Sequence, residues 1–108
     1  MDDAFSVTAL PGDCYRVHIH ISDVAYFVST NSAIDKEASV RAHSTYVMRA
    51  FHLPMLPHDL NAKICSLVQG EERLAISLQV DINSEGLIDY RSMRFSETII
   101  LNSHKLSY

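Results

Sequence analysis

Glycine is scarce in this 108-residue chain: Gly12, Gly70 and Gly86 are the only three. None belongs to a glycine-rich run, so a phosphate-cradling loop is excluded. There is no GxSxG elbow for serine hydrolysis, and neither HExxH nor a paired Cys/His spacing for zinc. Cys14 and Cys65 are the only cysteines and lie 51 positions apart. Without a CxxC they give no disulfide framework and read as ordinary reduced thiols. No segment approaches the roughly 20 apolar residues that cross a bilayer, and acids stand where a signal peptide would carry bases. The expected setting is therefore cytoplasmic, with the nucleus or an organelle matrix as the other compartments, and no membrane partner. Basic charge is also short, 9 Lys and Arg against 13 Asp and Glu for a net −4. An autonomous nucleic-acid-binding module normally carries the opposite balance, to neutralise phosphates.

What is present is a globular pattern. Apolar residues make up 47% and charged ones 20%, which separates the chain from disordered sequences. A chain this short buries only roughly 60–65% of its unfolded surface, so one domain or less is expected. Residues 5–9 and 15–21 alternate with period two around Pro11-Gly12-Asp13 and predict a hairpin. Apolar residues on both arms are odd-numbered, so paired numbers must add to an even value, 24 or 26. Either register brings Asp23 across from Asp3 or within two positions of it, gathering Asp2, Asp3 and Asp23 at the open end. Ser32 caps a helix predicted over 33–45, with Asp35 and Glu37 suiting its positive end. Thr45 to Met48 reads as extended, Pro54 and Pro57 force an irregular crossing loop, and a short helical stretch covers 58–64. The clearest strand is 73–82, with Leu74, Ile76, Leu78, Val80 and Ile82 on one face. After the turn at Asn83–Gly86 the return strand changes parity between Tyr90 and Met93, which calls for a bulge near Arg91-Ser92. The fold class is α+β: antiparallel hairpins and a mixed sheet with one main helix.

Asp2 and Asp3 are the residues with the most chemistry in them. Phosphodiester hydrolysis with Mg²⁺ needs hard carboxylate oxygens that hold the ion against a phosphate. Adjacent aspartates share one ion only where the backbone is irregular, since in a regular strand they point apart. Alone, the pair reads as a solvated acidic terminus; the approach of Asp23 strengthens the metal reading. The net negative charge fits an enzyme whose basic channel is supplied elsewhere. The six histidines read as surface or partly packed. Tyr46 either covers the core or stacks on a nucleobase, and Arg41 and Arg49 flank it, either solvated or serving backbone phosphates.

In order, Asp2-Asp-Ala4, His20-Ile-Ser-Asp-Val24, Asp35-Lys-Glu-Ala38 with Arg41, Ser44-Thr-Tyr46, Leu53-Pro-Met-Leu-Pro57, Ile64-Cys-Ser-Leu67 and Arg73-Leu-Ala-Ile-Ser77 resemble the RNB catalytic domain of ribonuclease II, ribonuclease R and their exosome-associated relatives. The likeness covers essentially the whole chain, which would then be the N-terminal portion of such a domain, truncated at both ends. It implies processive 3′→5′ hydrolysis of single-stranded RNA to nucleoside 5′-monophosphates at a Mg²⁺ site built by four aspartates. Asp2 and Asp3 match the last two of these. Tyr46 matches the tyrosine that stacks on the 3′-terminal nucleotide, and Asp23 with Arg41 fall to supporting roles. The remaining aspartates, a catalytic arginine and glutamate, and the RNA-feeding domains would lie outside these residues, so the 108 residues alone are expected to be inactive. Exosome-like or other RNA-decay partners are implied as well. A catalytically silent RNA-binding or scaffold relative is the alternative. Departures from the family pattern include Ala42-His43 in place of Gly-Thr or a similar small pair, Val47-Met-Arg-Ala50 after the tyrosine, and Asn61 in place of a common serine.

Overall fold

The structure is a computed structural model describing residues 3–47 and 51–106. These form two compact units, one of residues 23–66, the other of residues 3–22 with 67–106.

The second unit is a four-stranded sheet in the order β1–β2–β5–β6. Strands β1 (Ala4–Leu10) and β2 (Cys14–Ser22) form the expected hairpin, and their paired residues add to 24, from Ala4↔His20 to Leu10↔Cys14. Gly12 at φ 79° and Asp13 at φ 55° let three residues reverse the chain there. Strand β5 (Glu72–Ile82) pairs with β2 through Tyr15↔Ile82 to Ser22↔Ala75. It pairs on its other side with β6 (Ile88–Leu101). All these pairings are antiparallel, and one parallel bridge, Gln69↔Asn102, lies outside the strands. The β5–β6 register jumps between Gln79↔Arg94 and Asp81↔Asp89, leaving residues 90–93 opposite Val80. This is the bulge that the parity change required. Ser92 stitches it, its hydroxyl donating to the Asp89 carbonyl at 2.6 Å and accepting from the Asp81 amide at 2.7 Å.

The sheet has one apolar face and one polar face, as period-two alternation dictates. Burial does not follow that division. Ala75 and Ser77, on the polar face of β5, are 0% and 1% exposed, whereas Phe5, Val7, Ile21, Phe95 and Ile99 on the apolar face are all more than half exposed.

The first unit holds α1 (Val24–Phe27), α2 (Ala33–Arg41), a small hairpin of β3 (Thr45–Val47) and β4 (Phe51–Leu53), and a π-helix, Asp59–Ile64. The Ser32 hydroxyl caps α2 by accepting from the Asp35 amide at 3.2 Å, and the Asp35 carboxylate accepts in turn from the Asn31 amide at 2.8 Å. The helix stops at Arg41, four residues short of the expected end. Ala42 adopts left-handed φ 61° while its amide still donates to the Ala38 carbonyl, so the chain turns out of the helix there. Ala38, Leu56 and Cys65 are this unit's buried apolar residues.

Candidate active site

Asp3 is exposed, one residue ahead of β1, and makes no hydrogen bond or ion pair among the described residues. Asp2 lies outside the described residues, as does Arg49. Immediately beyond Asp3, the β1–β2 ladder closes at Ala4↔His20. The strand that follows Asp3 therefore begins at a pairing whose partner side chain is anchored. The His20 ring runs a hydrogen-bonded line across all four strands. Its Nε2 meets the Ser6 hydroxyl at 3.3 Å and its Nδ1 meets the Ser77 hydroxyl at 2.6 Å. Ser77 meets the Thr98 hydroxyl at 2.6 Å, and Thr98 donates to the Ala75 carbonyl at 3.2 Å. Partial burial lowers the His20 pKa from its ordinary value, and the neighbouring His18, stacked on it at 5.8 Å, lowers it further. Farther along the same face the Arg16 guanidinium forks onto both Asp81 oxygens at 2.8 and 2.9 Å. That hydrogen-bonded pairing depresses the Asp81 carboxyl and raises Arg16.

Asp23 is 6% exposed and acts as the N-cap of α1, its carboxylate accepting from the Tyr26 amide at 3.2 Å. Ser22 beside it buries a hydroxyl with no partner among the described residues. Arg41 is engaged twice, on Glu37 at 2.9 Å and on the Pro54 carbonyl at 3.1 Å. It thus braces the end of α2 against the proline-bounded loop. The Ser44 hydroxyl ties the same loop down by accepting from the Met55 amide at 2.9 Å.

Tyr46 is 71% exposed on β3 and pairs across the small hairpin with His52. Their rings stack at 4.4 Å and 11°. One side of Tyr46 borders a cavity of about 160 Å³ lined by Ser44, Tyr46, Met55, Leu56 and Asn61. Neither the Tyr46–His52 stack nor the four-strand line through His20 is readable locally. The first depends on the turn length between β3 and β4; the second depends on β2 pairing with a strand some fifty residues later. The shared parity of Ser6 and His20 in a 24-sum hairpin was the available signal for the Ser6–His20 half of that line.

Among the described residues no three His, Cys, Asp or Glu side chains converge to hold a metal ion. Asp3 offers a hard oxygen donor of the kind Mg²⁺ takes, and a full ligand set needs carboxylates beyond those described.

The RNB domain model matches residues 1–108. The chain belongs to the RNB domain family. DIS3-like exonuclease 2 of Arabidopsis thaliana is 44% identical over all 108 residues, which make up 10% of its length. Ribonuclease R of Thermotoga maritima is 42% identical over 87 residues, covering 81% of this chain and 12% of that protein. A solved structure of Mycoplasma genitalium ribonuclease R in complex with double-stranded RNA superposes with a TM-score of 0.87 at 29% identity, over 94% of this chain and 17% of that one. The chain thus spans about a tenth to a sixth of the length of the curated relatives it matches, and by sequence and fold it groups with the RNB domains of ribonuclease R and DIS3-like exonucleases. The family is not uniformly active: a second Arabidopsis relative, also 44% identical over all 108 residues, is an inactive exonuclease.

Proposed function

We propose that the protein carrying this RNB segment is a Mg²⁺-dependent 3′→5′ exoribonuclease that acts on single-stranded RNA and releases nucleoside 5′-monophosphates. What supports this is the match of the RNB model to the full chain, with Asp3 standing directly ahead of β1. When bound, the ion supplies charge stabilisation at the scissile phosphate and a more acidic attacking water. Asp3, with Asp2, contributes hard ligands from a strand mouth that the His20 line keeps in register. Tyr46 offers an exposed ring to the terminal base, and stacking of that kind is worth about 1–3 kcal/mol per base without regard to sequence. Arg41 serves indirectly, holding the proline-bounded loop that follows the Tyr46 hairpin while its guanidinium is taken up by Glu37 and the Pro54 carbonyl. The 108 residues alone are inactive in this reading, because they lack the companion carboxylates.

The test is Mg²⁺-dependent mononucleotide release from single-stranded RNA by the natural longer protein. Asp3→Asn is expected to lower kcat by at least 10²-fold with KM for RNA little changed, as loss of a strong electrostatic element does. Undiminished cleavage by Asp3→Asn would remove Asp3 from the metal site. The inactive Arabidopsis relative favours a second reading, a catalytically silent RNA-binding or scaffold protein. RNA binding without mononucleotide release by the unaltered protein would select it.

A further inference from the structure

His20 opens the His20-Ile-Ser-Asp-Val24 stretch and takes no direct part in the chemistry assigned to Asp3 and Tyr46. The protons along its hydrogen-bonded line can be placed by counting donors. The Ala75 carbonyl only accepts, so the single Thr98 hydroxyl proton lies toward it at 3.2 Å. The Thr98 oxygen then accepts from Ser77 at 2.6 Å, which commits the single Ser77 proton. The Ser77 oxygen in turn accepts from His20 Nδ1–H, also at 2.6 Å. A neutral imidazole carries one N–H, and burial together with His18 favours the neutral ring. Nε2 is therefore bare and accepts from the Ser6 hydroxyl at 3.3 Å. Running the protons the other way leaves the Thr98–Ala75 contact without a donor. The line thus selects the Nδ1–H tautomer, since the bond made by one ring nitrogen sets the state of the other. Ser77 is 1% exposed, so water does not readily replace a missing member.

The end of this line falls where β1 has least support. In the order β1–β2–β5–β6, β1 is an edge strand paired on one side. Its ladder stops at Ala4↔His20, directly after Asp3, and the ends of such ladders fray first. Phe5 and Val7 on the opposite face are more than half exposed, so packing among the described residues holds this end weakly. Asp3 makes no hydrogen bond of its own there, and its placement depends on the strand it precedes. Among the described residues, Ser6–His20 is the one side-chain hydrogen bond that joins β1 to β2, and it comes three positions after Asp3.

We propose that His20, held as the Nδ1–H tautomer by Ser77 and Thr98, is a positioning residue for Mg²⁺ binding at the Asp3 end of β1. The inference rests on the exoribonuclease reading for the placement of the ion at Asp3. His20 acts through Ser6 and the strand, not on the ion. Outer partners that orient metal ligands typically contribute roughly 10–100-fold to metal affinity or activity.

The experiment uses the natural longer protein, with Mg²⁺ binding followed by calorimetry without RNA and mononucleotide release measured over a Mg²⁺ series. Ser6→Ala, a change at an exposed residue, and His20→Ala are each expected to raise the Mg²⁺ dissociation constant about 10-fold. The Mg²⁺ concentration for half-maximal release should rise by the same factor. His20→Gln carries its carboxamide out to the Nε2 position and should recover most of the loss. His20→Asn reaches only the Nδ1 position and should not. A ring that merely filled space would make the two amides equivalent. Nitrogen-15 NMR of histidine-labelled protein, above the ordinary histidine range, should show the His20 proton on Nδ1, with a mixture of tautomers in Ser77→Ala. The His20 signal is assigned by its loss in His20→Gln. Mg²⁺ affinity unchanged in Ser6→Ala and His20→Ala, equal behaviour of the two amides, or a proton on Nε2 would each overturn the proposal and leave the nuclease reading standing. Mg²⁺ affinity that follows His20 in a protein releasing no nucleotide upholds the positioning role and removes the nuclease reading instead.

Discussion

Ala42 carries a conformation that an alanine pays to adopt. At φ 61° it holds the left-handed turn that ends α2, and a Cβ there costs roughly 1–2 kcal/mol against glycine. The family-like sequence pattern has a small residue pair at this place, and the backbone explains the preference for glycine. Ala42→Gly is expected to stabilise the protein by roughly 0.5–1 kcal/mol, after the extra chain entropy of glycine is set against the relief. Denaturant unfolding of the two forms measures it; unchanged or lower stability would deny that strain resides at this position. The two N-caps show the opposite kind of legibility. Ser32 was readable because capping is a local contact across three residues. The cap formed by Asp23 was hidden, because its carboxylate read as a metal-site companion in a motif, and the four-residue helix behind it has no periodicity to betray it.

Strand pairing divides along the same line. The β1–β2 register followed from parity because a three-residue turn leaves few alternatives, and the β6 bulge followed from a parity break within one strand. The β2–β5 pairing was beyond reach, since a whole unit of chain intervenes between the two strands. With it went the hydrogen-bonded line from Ser6 through His20 and Ser77 to Thr98. That line has a pH consequence. The folded His20 pKa lies below its unfolded value near ~6.5, so the unfolded chain binds more protons between the two. Stability is then full above the unfolded value and falls as pH drops through it toward the folded one. The groups facing His20 are His18 on its own strand, Ser6 on β1, Ser77 on β5 and Thr98 beyond it. Thermal unfolding is expected to lose part of its acid sensitivity below about pH 6.5 in His20→Gln, which keeps a hydrogen-bonding side chain but cannot titrate there. An identical pH profile for the variant would show that another group carries the effect. The Arg16–Asp81 pair acts in a separate, more acidic window. Asp81 is depressed, so its contribution is present above the ordinary carboxylate range and is lost as pH falls through the lowered value.

For the whole molecule, the sheet's apolar side is the dominant physical fact. Phe5, Val7, Ile19 and Ile21 from the first hairpin and Phe95, Ile99 and Leu101 from β6 line one face, each at least 41% exposed. A contiguous patch of this kind drives association in water. The isolated 108 residues are expected to self-associate at micromolar concentration. Ile19→Lys together with Phe95→Lys should restore a monomer in sedimentation; a monomeric unaltered chain would show that the face is tolerated bare. Class and family were legible because motif order survives as a linear string. The proposed metal site stands differently: among the described residues no three acidic, histidine or cysteine side chains converge, and Asp2, one of its two leading acids, lies outside them. Tyr46 could be singled out by its motif, but its stacking partner His52 is set beside it only by the pairing of β3 with β4.

Everything from Asp23 to Ser66 is, in chain order, an excursion between Ser22 and Leu67, and Ser22 is bonded in register to Ala75 on the adjoining strand. Insertions or deletions near Tyr46, Pro54 or the π-helix therefore need not shift a single rung of the sheet. Under the exoribonuclease reading proposed above, the region around Tyr46 can then be retailored while the entrance of β1 at Asp3 is kept, and grafting residues 23–66 from one relative into another tests whether the two parts exchange independently.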